Sequence, residues 1–153
     1  MKFVKILLFA AALAFIPTAG SFAQLKKTAH IEKIKSFSYG HVVLFKTSTD
    51  DVDIFALSLS NASKYHKDVV FFLGNKEEMI KNLRDFSSAL KEGKKGDIFD
   101  FTAVGEEYKL AYHKVVGEAG FKVSTRLSTS SDYGLLFKRT IDKIIEFLES
   151  YEN

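Results

Sequence analysis

One pattern limits the fold more than any other. A strand, a helix cap and an amphipathic stripe occur twice, in register, 65 residues apart. Val70-Phe71-Phe72 is matched by Leu135-Leu136-Phe137. At the same offset Asn75 meets Thr140, Glu77 meets Asp142, Met79 meets Ile144, Ile80 meets Ile145 and Leu83 meets Leu148. Upstream, Ile34-Lys35-Ser36-Phe37 is echoed by Ile98-Phe99-Asp100-Phe101 at an offset of 64. A period of this size points to repeated supersecondary units rather than to one irregular domain.

The helices are the clearest part of each unit. Asn75 is a good N-cap, and Glu77 and Glu78 stand in the first turn, where the helix dipole favours acids. Met79, Ile80, Leu83, Phe86 and Leu90 share one face, and Gly93 and Gly96 end the helix. The second helix is expected to begin at Thr140 as N-cap, with Ile141, Ile144, Ile145 and Leu148 buried. Strands are expected over 29–38, 41–47, 52–59 and 65–73, and then over 97–104, 107–115, 119–127 and 132–138. Turn residues such as Tyr39-Gly40, Gly105 and Gly117 separate them. Short connections imply antiparallel neighbours. The predicted fold is therefore α+β: two consecutive β-β-β-β-α units, antiparallel sheets packed with two amphipathic helices. The units run over about 28–92 and 97–153.

Residues 1–23 stand apart. Lys2 and Lys5 precede an apolar run from Ile6 to Ile16, and small residues lead to Ala23. This is the pattern of a secretory signal peptide with cleavage between Ala23 and Gln24, leaving a single domain over 24–153. The run is about half the length of a membrane span, and no membrane span is expected in the mature chain. Removing 1–23 takes two lysines and no acid, so the formal charge falls from +3 to +1. That is too little for phosphate-backbone binding, and no nucleic acid is expected as a partner. With no cysteine, disulfides, thiolate metal sites and thiol nucleophiles are excluded. The fold must rest on its apolar core, in which phenylalanine is abundant.

Chemistry-bearing motifs are few. His30, His41, His66 and His113 show no short metal-ligand spacing. Asp50, Asp51 and Asp53 lack the glycine and the distal glutamate of a calcium loop, and read as a solvated turn. Gly93-Lys94-Lys95-Gly96 closes a helix rather than opening one, so it is no phosphate loop. The hydroxyl-rich stretch 124–131 contains no nucleophile elbow. His113 beside Glu106 or Glu107 is the one acid–base pairing the sequence offers. The remaining hint is a set of strand tyrosines with polar handles. Tyr108, Tyr112 and Tyr133 are taken with His113 as candidate binding residues, and Tyr65 is of the same kind.

The doubled strand–helix unit is similar in architecture to small periplasmic inhibitor and sensor modules of the PepSY or β-lactamase-inhibitor type, which place their helices differently. It also resembles the Whirly and PUR-type single-strand-binding architecture. The reading that follows is an exported, non-enzymatic binding or inhibitor-like module for a protein or small ligand, with no cofactor and no metal. The alternatives are a single-stranded nucleic-acid binder or a small hydrolase using His113.

Overall fold

The computed structural model describes residues 29–49, 51–61, 63–127 and 131–152. Ala23 and Gln24 lie outside them. Alternation of apolar and polar residues produces eight strands: β1 (His30–Phe37), β2 (Val42–Ser48), β3 (Asp53–Leu59), β4 (Val69–Gly74), β5 (Ile98–Ala103), β6 (Glu106–Val115), β7 (Glu118–Thr125) and β8 (Gly134–Phe137). Helix α1 (Lys76–Glu92) follows β4, and helix α2 (Lys138–Ser150) follows β8. The strands form two antiparallel sheets, in the orders β1-β2-β3-β4 and β5-β6-β7-β8. The α+β class and the β-β-β-β-α units are thus present.

The two sheets repeat rung by rung on their inner faces. Phe37, Val42, Leu59 and Val69 lie across the first sheet. Phe99, Leu110, Val123 and Gly134 lie across the second. The next rung pairs Leu44, Leu57 and Phe71 in the first sheet with Tyr112, Phe121 and Leu136 in the second. On this ladder Phe37 corresponds to Phe99, not to Phe101 as the sequence echo implied. The slip is two residues, which keeps the same face inward and so leaves the hydrophobic pattern intact. Ile98, paired with Ile34 in that echo, is 63% exposed.

One apolar cluster draws on both sheets and both helices. Met79 and Leu83 of α1 and Ile144 and Leu148 of α2 are fully buried, whereas Ile80 and Ile145 are half-buried. Phe86 of α1 packs its ring against Phe101 and Phe121 of the second sheet. Phe147 and Tyr151 in turn meet Phe37 and Phe55 of the first. Gly134 is required where the sheets approach, because a Cβ there would overlap Leu59.

Helix α1 starts as the sequence says. Asn75 Oδ1 accepts from the Glu78 N–H at 2.9 Å, and Glu78 Oε2 accepts from the Asn75 N–H at 2.9 Å, a complete capping box. Helix α2 does not. It begins at Lys138, after an extended Phe137 with no side-chain cap. Thr140 is inside the helix and 6% exposed, so it is not an N-cap. Its hydroxyl lies 2.7 Å from that of Ser38 instead. Lys138 donates to Asp142 at 2.6 Å across the first turn, which favours the earlier start. β4 is also shorter than expected, because residues 63–66 form a turn closed by the His66 N–H on the Ser63 carbonyl. Asn61 Oδ1 accepts from the Ser63 N–H and Ser63 Oγ from the Tyr65 N–H, local bonds that compete with a sheet ladder.

Candidate functional site

The four residues singled out from the sequence fall in three environments. Tyr108 is a core residue at 2% exposure, contrary to the expectation of a surface ring. Its hydroxyl accepts from the Phe72 N–H at 3.1 Å and donates to the Val70 carbonyl at 3.3 Å. It therefore satisfies the outer side of β4, an edge strand of the first sheet. Burial pushes its phenol from 10.0 up to about 12, against the lowering effect of the Phe72 N–H. Tyr112 is half-buried, its ring lying where a side chain on Gly93 would have to sit.

His113 on β6 and Tyr133, just before β8, each have Lys122 of β7 as a neighbour. Lys122 Nζ is 4.8 Å from the centre of the Tyr133 ring. His113 stands opposite Gly120, one same-face position along from Lys122. Burial, and then the Lys122 charge, hold the imidazole below its ordinary value. The expected carboxylate partners are not beside it. Glu106 and Glu107 lie at the far end of β6, on the order of 20 Å along a strand. Glu107 is bonded to Arg126 there. Among the described residues no group of three or more His, Asp or Glu is placed to hold a metal ion. Asp53 contacts Lys46 at 3.9 Å, while Asp50 lies outside the described residues.

A second region was not singled out from the sequence. β1 is an edge strand, and six of its eight residues are exposed. Between it and α2 runs an open groove of about 550 Å³. Lys35, Ser36, Phe37 and Ser38 form one wall, and Lys143, Glu146, Phe147 and Ser150 form the other. The wall from α2 follows from helical spacing, since residues three, four and seven apart share a face. The Lys35 ammonium sits 4.3 Å from the Phe147 ring centre and 5.6 Å from that of Phe37, a cation–π arrangement that holds the charge over an aromatic floor.

The groove ends at a strained turn. Ser38, Tyr39 and Gly40 all have positive φ, at 51°, 57° and 90°. A left-handed backbone costs a non-glycine residue about 1–2 kcal/mol, so two such residues in succession need support. The Ser38–Thr140 hydroxyl contact supplies some of it. The turn presents Tyr39 with its side chain wholly in water, at 106% exposure. Two left-handed non-glycine residues in succession thus display an aromatic ring beside the groove. In sequence the only signal for this site was the pair Lys33 and Lys35 within a strand, as is usual where an edge must resist unwanted pairing. Neither the left-handed Tyr39 nor the nearness of α2 was legible.

The groove offers serine hydroxyls, two lysines, one glutamate and aromatic rings to whatever enters it. Comparison with protein-family models, with curated proteins and with solved structures finds no match to this chain. No helix among the described residues is long and apolar enough to cross a membrane.

Proposed function

We propose that the protein is an exported, non-enzymatic binding module that takes up an extended segment of a partner protein along the free edge of β1, in the groove against α2. In this reading the two β-β-β-β-α units close on each other, with the helices as the covering layer of a shared core. That frame holds the edge strand and α2 at a fixed separation. The observation that carries the reading is that, among the described residues, no strand pairs with the outer edge of the eight-residue β1, and a lined groove runs beside it. Strand addition uses the unpaired backbone groups for affinity and the groove for side-chain choice. Export rests on the signal pattern at 1–23 and is tested by N-terminal sequencing of the secreted protein, which should begin at Gln24. A start at Met1 would overturn it.

The binding reading is tested on the ligand side. Peptides captured from a pool of random decapeptides are resynthesised with single backbone N-methyl groups. Strand addition predicts loss of binding at every second position, because alternate N–H groups face the edge. Uniform tolerance of N-methylation, or capture of no peptide, would overturn it.

A further inference from the structure

We propose that the segment held at β1 carries an acidic side chain seated between Lys35 and Lys143, an inference that rests on the groove reading above. Among the described residues neither lysine pairs with a carboxylate, although carboxylates elsewhere on the surface do find partners, as in Arg84–Glu149 and Lys81–Asp85. The two ammonium groups stand on opposite walls of one groove. Lys35 is held in place by two rings rather than by a counter-ion. Ser36 adds a neutral donor that a carboxylate can accept from, while the Ser150 hydroxyl donates to the Phe147 carbonyl and that of Ser38 lies against Thr140.

Glu146 lies on the same wall as Lys143, one turn further along α2. It leaves the groove with a net charge of one positive unit and disfavours a run of acids. The fit is therefore to a single Asp or Glu flanked by uncharged residues. The alternative occupant, the β1 strand of a second copy, is disfavoured by the same charges. An antiparallel pairing of two such strands centred on Ile34 would set Lys33 against Lys35 of the other strand, and like charges directly opposite destabilise.

The test uses the random decapeptide pool with the wild-type protein and with a Lys35→Glu/Lys143→Glu double variant. Both lysines are exposed, so the variant should stay folded, its melting point lowered only by the lost cation–π contact of Lys35. Wild-type captures should be enriched in Asp or Glu at one fixed position. Changing that residue to its amide should weaken binding roughly fivefold, the scale of an exposed charge pair. Adding salt should narrow the difference. The double variant should select Lys or Arg at the same position. Captured peptides that show the alternate N-methyl pattern but no acidic preference would overturn this inference and leave strand addition standing. An acidic preference that survives the double variant would also overturn it. Capture of no peptide would remove the groove reading itself.

Discussion

The two β-β-β-β-α units agree on the inside and differ on the outside. Their inner faces superpose rung by rung, from Phe37–Val42–Leu59–Val69 to Phe99–Leu110–Val123–Gly134. Their outer faces do not. In the first sheet Val43, Phe45, Ile54, Val70 and Phe72 are half-buried on the outer side. In the second the corresponding surface carries Asp100, Glu107, Lys109 and Lys122, as expected of an antiparallel sheet with one face in water. The ends differ as well. β1 turns into β2 through four residues with a strained, exposed Tyr39, whereas β5 turns into β6 through Val104-Gly105 alone. Packing demands fixed the shared part. The parts free of that demand are individual, and the candidate groove belongs to them.

The largest expected effect tests the agreement. Leu83 and Leu148 are both fully buried and occupy matching helix positions. Leu83→Ala and Leu148→Ala should each cost about 2–5 kcal/mol, from lost transfer energy plus the cavity left behind. Urea melts should place the two within about 1 kcal/mol of each other, since these costs vary with how far a site can collapse. A mild Leu148→Ala beside a severe Leu83→Ala would break the equivalence and make α2 a peripheral element. The half-buried pair Ile80 and Ile145 would be a weaker probe of the same question.

Much of this frame was legible beforehand because it rests on periodicity. The offset of 65 matched Phe71 with Leu136, Met79 with Ile144 and Leu83 with Leu148, all fully buried. What failed were features set by single contacts. Thr140 looks like a cap in sequence, but its hydroxyl lies against Ser38, 102 residues away. Tyr108 looks like a surface tyrosine, but the strand that buries it comes from the other unit. The groove was invisible because it joins the first strand to the last helix, and nothing local in either segment records the other.

The second effect comes from a residue without a counterpart. Where Tyr108 stands in the second unit, the ladder places the β1–β2 turn in the first. Tyr108→Phe removes the hydroxyl and leaves the Phe72 N–H and the Val70 carbonyl without their bridge. A buried polar group left unpaired costs about 1–3 kcal/mol. A pH signature separates this from simple packing. The folded phenol titrates near 12 and the unfolded one near 10.0, so between these values the folded chain keeps a proton the unfolded chain has released. Stability should be full below pH 10 and fall as pH rises toward 12. Tyr108→Phe should flatten that fall in melts run across the window. An unchanged alkaline slope would place its origin in another residue.

The smallest effect asks whether the individual turns store strain. Val116 has φ 48° and a side chain that is wholly exposed, and with Gly117 it forms a two-residue connection between Val115 and Glu118. Such a turn favours asparagine at this position, because a β-branched residue is poorly suited to a left-handed backbone. Nothing is lost by removing the valine, since its side chain is entirely in solvent. Val116→Asn should therefore stabilise the fold by about 1 kcal/mol, read as a higher urea midpoint with an unchanged slope. Val104 has φ 53° and is 47% exposed at the opposite end of β6, so its gain should be similar or slightly smaller. The ten residues of β6 put the two turns roughly 30 Å apart, and the double variant should be additive. Additive gains would make these turns removable strain, set apart from the Ser38–Tyr39 turn that α2 braces. A loss at Val116 would show instead that the second unit, like the first, uses a strained tip to hold something in place.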